Sequence, residues 1–463
     1  MANSFIYHTN AADGNKQKFT HAFWVKRSDV GVYEELVYSA YAGNTWRYAG
    51  TAFTNNDVLT VYSGIYQSGS TGSTTLYDYY TNRKFRDVGA WYHIVVAVDT
   101  TIASPASDRV KIFVNGVRET SFSSATDPSL NGSTYFNADT KHSTFGAANR
   151  VAVHSPSAFL NGVMSHCYWI DGTAYDASTF GEVDATSGIW KIKTSPSVTY
   201  GTNGFFLKME DRTNLDLDSG TNGFTMTTTG TITPTYDNPS NNFCTLNPLA
   251  NYINGSTFTD GNNTMTTANN TRSYNIATMG LTSGKWYFET YMNELVSGTG
   301  QNTLIGIADA ETTAVGNQLG ILASQYAYYS TTGGSYNSNT DTGYGDTYTT
   351  GNYIGTYIDL DNNKIYWAKD GVIQNSGTGV TITAASGTSG GAYLPALGFW
   401  SNTPIYKYNL NFGNGYFGTT VISSPEADAG GIGAFKYDPS VGTFDSSSKD
   451  FRAICTRNIK DYG

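Results

Sequence analysis

WYHIVVAVD, residues Trp91 to Asp99, is apolar at nearly every position, and RVKIFVNGV, Arg109 to Val117, follows closely. A short, unbroken apolar run suits a strand buried on both faces in the middle of a sheet. In the second segment Val110, Ile112 and Val114 share one face. Asn115-Gly116 then supplies the two positive-φ positions of a type I′ hairpin turn. The same plan returns in YIGTYIDLDNNKIYWAKDGV, Tyr353 to Val372, where Ile354 to Leu360 and Lys364 to Ala368 read as strands and Asp370-Gly371 takes the place of Asn-Gly. Helical periodicity is almost absent. A single recurrence is not a short-period repeat, which argues against propellers and solenoids. The expected fold is all-β, two antiparallel β-sandwich (jelly-roll) domains in series with few or no helices.

Composition agrees with that reading. The 463 residues include 50 Gly and 35 Tyr, and only 14% are charged, against about 25% in an average globular chain. Aromatic and β-branched residues fit pleated surfaces, while Gly, Asn and Asp supply turns. The formal net charge is −10 and no Lys/Arg-rich run occurs, so the footprint of nucleic-acid binding is missing. Cys167, Cys244 and Cys455 are odd in number and far apart, which is neither a disulfide framework nor a zinc spacing. The start MANSFIYHTNAADG has no basic n-region and no apolar h-region, and no apolar run is long enough to span a membrane. Folding in a reducing cytoplasm is expected.

The apolar content falls in TNLDLDSGTNGFTMTTTGTITPTYDNPSNNF, residues 213–243, which reads as the connection between domains. The expected division is therefore 1–212 and 244–430 as the two sandwiches. Residues 431–463 form a tail packed on a domain or a partner, because Phe451, Ile454 and Ile459 restore apolar content there.

Longer phrases carry a family resemblance. FTHAFWVKRSDVG (Phe19 to Gly31), FRDVGAWYHIVVAVDT (Phe85 to Thr100) and WIDGTAYDASTFGEVDATSGIWKIK (Trp169 to Lys193) resemble the concanavalin A-like/laminin-G-like module of marine bacteriophage virion and tail-fibre-like proteins. NNFCTLNPL (Asn241 to Leu249) is similar to the bridge that follows it in such chains. GKWYFET (Gly284 to Thr290), IGIAD (Ile305 to Asp309), LPALGFW (Leu394 to Trp400) and NFG (Asn411 to Gly413) resemble an SPRY domain, and FRAICTRN (Phe451 to Asn458) resembles the closing phrase of the phage chains. The resemblance implies a component of the virion surface, made in the host cytoplasm. It also leaves room for a structural calcium in the laminin-G-like half, with no local motif to name its ligands.

No catalytic motif stands out. Glu182-Val183-Asp184 begins the ExDxxE pattern of glycoside hydrolases on this scaffold, but Ser187 stands where the last carboxylate should be, so a surface loop is the better reading. Asp359, Asp361 and Asn363 alternate like calcium-loop ligands, yet Lys364 replaces the required Gly and a strand follows, so a tight turn is expected. His166 and Cys167 are adjacent on a strand and face opposite ways. Trp24, Trp91, Trp169, Trp286 and Trp367 sit in apolar strand patterns and read as core. Trp46 and Trp400 are flanked by polar or Gly-rich sequence.

The Tyr-rich stretch from Tyr326 to Tyr353, YAYYSTTGGSYNSNTDTGYGDTYTTGNY, combines rigid aromatic area with adaptable Ser, Gly and Asn. Tyr328, Tyr329, Tyr336, Tyr344, Tyr348 and Trp400 are the expected ligand-binding patch. The functional expectation is a non-enzymatic virion structural or appendage protein, such as a tail fibre, that binds host glycans or neighbouring virion proteins. It would be homo-oligomeric on the particle, without cofactor, nucleic acid or membrane insertion. A capsid decoration or cement protein is the alternative, and a polysaccharide-degrading enzyme a more distant one.

Overall fold

A computed structural model describes residues 3–41, 45–67, 73–148, 156–250, 255–267, 272–297, 302–311, 317–399, 405–445 and 449–463. The chain divides into two compact units, residues 1–234 and 235–463. Strand accounts for 45% of the structure and helix for 5%, so the chain is all-β, with two β-sandwiches in series. The one α-helix among the described residues is Thr456–Tyr462, and no helix there is long and apolar enough to cross a membrane.

In the first unit an eight-stranded antiparallel sheet packs on a six-stranded one. The decisive stretch lies near the centre of the smaller sheet. Tyr92–Asp99 pairs with Lys18–Arg27 on one side and with Val110–Val114 on the other. Asn115 (φ 48°) and Gly116 (φ 80°) make the hairpin turn that closes this meander. Ile94, Val96 and Val98 point into the core beside Phe23, Val61, Tyr77 and Trp169, while Val95 lies on the opposite face under Phe180 and Phe206. A strand with both faces covered buries every side chain, which is why its sequence alternates so little.

At one end of this sandwich sits an ionic knot. Arg27 is fully buried and donates from Nε to Glu34 (3.1 Å), and from Nη1 to Asp57 (3.2 Å) and the Phe85 carbonyl (2.8 Å), with its guanidinium 4.4 Å from the Phe53 ring centre. Arg86 reaches Asp57 from outside at 2.8 Å, and the Asn161 amide donates to Glu34 at 2.8 Å. Burial pushes the Glu34 carboxyl up to about 7, against the lowering pull of Arg27.

The second unit repeats the architecture, a nine-stranded sheet against a six-stranded one. Its meander is Lys285–Ser297, Tyr353–Asp359 and Lys364–Lys369, with Asp370 (φ 48°) and Gly371 (φ 82°) at the turn. Asp359, at the end of its strand, accepts from the Asn362 amide in a tight turn and pairs with Lys285, both buried. Trp24, Trp91, Trp169, Trp286 and Trp367 are all buried.

The two units meet at a different place from the expected connector. Residues 213–243 are no free connector. Thr227–Thr229 forms an edge strand against Phe5–Thr9, and the Asp218 carboxylate accepts from the amides of Phe206, Gly220 and Phe224, so the stretch to 234 belongs to the first unit. From Tyr236, whose amide donates to the Asn414 carbonyl, the chain belongs to the second. Low apolar content misled because the segment is held by hydrogen bonds more than by burial. The tail, by contrast, does pack. Arg452–Ala453 pairs in parallel with Trp286 and Tyr287, and Phe435, Phe444, Phe451, Ala453 and Cys455 cover Tyr287, Tyr357 and Tyr366 on the outer face of the nine-stranded sheet. Glu289 beneath it is buried and accepts from the amides of Lys436 and Tyr437, from Asn411 and from the Tyr287 hydroxyl.

Candidate functional site

The patch expected in the second unit does not exist as a surface. Tyr328, Tyr329, Tyr336, Tyr344 and Tyr348 are all buried, and Trp400 lies outside the described residues, as does the Trp46 side chain. Tyr328, Tyr344 and Tyr348 belong to the main core, where the Tyr328 ring lies against Trp367 (5.7 Å), Tyr344 (5.8 Å) and Tyr348 (5.0 Å). Tyr348 donates to the carbonyls of Tyr328 (2.8 Å) and Thr303 (3.1 Å), and Tyr328 donates to the carbonyl of Asp346. Tyr329 and Tyr336 lie on the other face of the same sheet, in a second cluster with Leu304, Leu319 and Leu394. Gln325–Tyr329 is buried on both faces, as is Tyr336 beside it, so neither parity of the Tyr run there reaches solvent.

Half-buried aromatics of this unit lie elsewhere, where Tyr291 and Tyr353 stack at 4.4 Å with Phe417 and Tyr437 edge-on to Tyr353. Those rings spend much of their area on one another. The nearby Asp370 carboxylate is already engaged, by Asn352 at 2.6 Å and the Tyr353 amide at 2.8 Å.

The outer face of the eight-stranded sheet in the first unit is built differently. Glu34–Tyr41, Thr45–Phe53, Val58–Gln67 and Ser73–Lys84 run antiparallel across it. Ala49, Phe53, Leu59, Val61, Tyr77 and Tyr79 face the core, so by strand alternation Tyr48, Gly50, Thr60, Tyr62, Gly64, Asp78 and Tyr80 face outward. A bulge between Glu35 and Val37 puts Leu36 and Val37 both in the core and leaves Glu35 and Tyr38 outside.

Register then makes a reciprocal pair. Tyr48 stands opposite Gly64, and Gly50 opposite Tyr62. A Cβ placed on Gly50 would lie 2.6 Å from the Tyr62 hydroxyl, and one on Gly64 would lie 3.0 Å from that of Tyr48. Each ring therefore leans across the glycine of the neighbouring strand, and both pack beside Tyr38, Ala148 and Ala158. Both rings are half-buried, 5.7 Å apart. Tyr38, Gly50, Tyr62 and Asp78 form one cross-strand row.

Two carboxylates border this tyrosine platform, in different states. Glu35 is 1% exposed, and both its oxygens accept from Tyr62 (2.9 Å each), with Tyr33 at 3.3 Å. Burial and the Glu35 charge push the Tyr62 hydroxyl well above its ordinary range, so it stays a donor. Asp78 is half-buried and accepts only one long contact, from Thr60 at 3.5 Å, among the described residues. Burial holds its carboxyl above the usual range. Burial first, and then the charges of Asp78 and Tyr80, push the Tyr48 hydroxyl up as well. Such a surface can stack a sugar ring and accept its hydroxyls. Sequence reading missed it, although the signal is present as Tyr-x-Gly in two successive strands, Tyr48-Ala49-Gly50 and Tyr62-Ser63-Gly64.

The other singled-out residues form no site. Glu182 and Asp184 lie on a short hairpin, not a plain loop, and both pair with Lys191, at 3.5 and 3.1 Å. Cys167 is in the core, while His166, at a bulge with φ 50°, bonds Ser165 at 2.8 Å. Among the described residues no group of three His, Cys, Asp or Glu side chains could hold a metal ion.

Comparison with known proteins matches a domain family to part of each unit. Residues 2–173 match Laminin_G_3, of the concanavalin A-like lectin/glucanases superfamily, and residues 285–412 match the SPRY domain. No curated protein matches the chain. Among solved structures, the SPRY domain of human HERC1 is similar at 18% identity over 36% of this chain and 96% of that one, with a TM-score of 0.30. A second human SPRY domain is 23% identical over 33% of this chain and 92% of its own, with a TM-score of 0.26. Stonustoxin is 14% identical over 36% of this chain and 27% of its own, with a TM-score of 0.26. The chain thus joins an N-terminal concanavalin A-like Laminin_G_3 domain to a C-terminal SPRY domain.

Proposed function

We propose that this chain is a non-enzymatic recognition protein of a bacteriophage particle, carried on the virion surface as part of a tail fibre or similar appendage, and that its N-terminal domain holds host-surface glycans on the tyrosine platform. The observation that carries the binding role is the reciprocal Tyr48/Gly64 and Tyr62/Gly50 arrangement, which offers two aromatic rings beside a carboxylate with room for a donor. The phage setting rests on the sequence phrases at Trp169 to Lys193 and Phe451 to Asn458. A binding rather than hydrolytic role is supported by Glu35, whose oxygens are held by tyrosine hydroxyls under the surface instead of being free to protonate a leaving group.

Single contacts of this kind are weak, and several copies on one particle would raise effective affinity roughly 10²–10⁴-fold. The test is to replace Tyr48 and Tyr62 together by alanine, confirm folding by calorimetry, and measure adsorption of particles carrying the change. Slower adsorption with normal assembly is expected. Normal adsorption with failed assembly would instead favour a decoration or cement protein, and release of reducing sugar from host polysaccharide would overturn the non-enzymatic reading.

A further inference from the structure

The two carboxylates of the platform are not equivalent. Glu35 is 1% exposed and its oxygens accept from Tyr62 and Tyr33 beneath the surface, out of a ligand's reach. Asp78 stands in register with Tyr62 and two residues from Tyr80, half-buried, with a single long hydrogen bond, from Thr60, among the described residues. A partly desolvated carboxylate short of donors gains most from a ligand that brings them, since charge-assisted hydrogen bonds are about twice as strong as neutral ones. Sugar hydroxyls bring donors, whereas the carboxylates of uronic or sialic acids bring a like charge. The wider field points the same way, because the formal net charge of the chain is −10.

We propose that Asp78 is the specificity-determining acceptor of the platform, taking hydroxyls from neutral sugar rings that lie on Tyr48 and Tyr62, and that it excludes acidic glycans. This rests on the platform being a glycan site. Glu35 is then a positioning residue. It fixes the Tyr62 hydroxyl, and through it the tilt of the ring, without touching ligand.

The experiment uses the full chain and two probes, a neutral glucose oligosaccharide and a uronic-acid oligosaccharide of equal length, titrated by isothermal calorimetry or followed by NMR line shifts. Wild type should bind the neutral probe and prefer it over the acidic one by at least about tenfold, as expected of a like-charge penalty of about a kcal/mol or more. Asp78→Asn keeps the shape and removes the charge. It should weaken the neutral probe roughly ten- to hundredfold, the size of a lost hydrogen bond to a charged group, and narrow or reverse the preference. Tyr48→Ala should weaken both probes. If Asp78→Asn leaves both affinities unchanged, or if wild type prefers the acidic probe while Tyr48→Ala still abolishes binding, the role of Asp78 is refuted and the platform stands. If neither probe binds wild type, the glycan reading falls together with this one.

Discussion

Replacing Arg27 by methionine should unfold the N-terminal domain at a markedly lower temperature, and more so in alkaline than in acidic buffer. The guanidinium is fully buried and satisfies Glu34, Asp57 and the Phe85 carbonyl at once. Methionine can fill the space beside Phe53 but leaves Glu34 with only the Asn161 amide, while Asp57 keeps Arg86 and the Gly31 amide. Removing one partner of a buried pair costs about 3–5 kcal/mol, because the other charge stays desolvated. At about 2–4 °C per kcal/mol for a domain of this size, the loss is on the order of 6–20 °C in its melting temperature.

The pH dependence follows from Glu34, whose folded carboxyl lies near 7, above the 4.5 of the free group. A raised carboxyl contributes stability that is fully present below the unfolded value and is lost as pH rises through the folded one. Without Arg27 the folded value climbs further, and each added unit deepens the alkaline loss by about 1.4 kcal/mol. Differential scanning calorimetry of the full chain at about pH 5 and about pH 8 reads both effects on the first domain's transition, with the SPRY transition as internal control. A loss under about 1 kcal/mol, or an equal loss at both pH values, would refute the reasoning, since the larger penalty arises only from an uncompensated buried charge. Arg27→Met with Glu34→Leu should recover much of the loss.

Other expectations concern glycines, cores and the tail. Gly50→Ala puts a Cβ 2.3 Å from the Glu35 carboxylate, so it should cost about 1–3 kcal/mol and disturb the platform, whereas Gly343→Ala meets nothing within 4 Å and should be neutral by the same calorimetry. Tyr344→Ala should destabilise the SPRY domain by about 3–5 kcal/mol, the range for large buried aromatics, and leave glycan binding by the first domain intact in a direct titration. A chain ending at residue 412 bares Tyr287, Tyr357 and Tyr366, and should bind the dye ANS and lose the second cooperative transition.

The core of both domains was legible because it is written locally. Trp91 to Asp99 and Ile354 to Leu360 announce buried strands by composition alone, and Asn115-Gly116 and Asp370-Gly371 announce their turns. What escaped was non-local. Tyr329 and Tyr336 look like surface residues until Ala250 and Leu319, which come from outside the sheet, pack into their cluster. Thr227–Thr229 shows no strand signal of its own and becomes one only because Phe5–Thr9 lies bare beside it. The platform needed register as well as pattern. Tyr-x-Gly twice means little until antiparallel pairing sets each Tyr opposite the other strand's Gly.

The parallel pairing of Arg452–Ala453 with Trp286 and Tyr287 also sets the order of events on the ribosome. The N-terminal domain can close as soon as Thr229 has emerged, but the SPRY sheet, although all its strands except Arg452–Ala453 are complete by Asn411, keeps an aromatic outer face open to water until Phe451 follows. At synthesis rates of about 5–20 residues per second, that interval lasts on the order of 2–8 seconds, far longer than hydrophobic collapse. Nascent chains on one polysome therefore pass through a window in which their unfinished second halves can stick to one another. Slow codons or a bound chaperone between positions 412 and 451 would change the yield of soluble protein without altering a single contact in the finished fold.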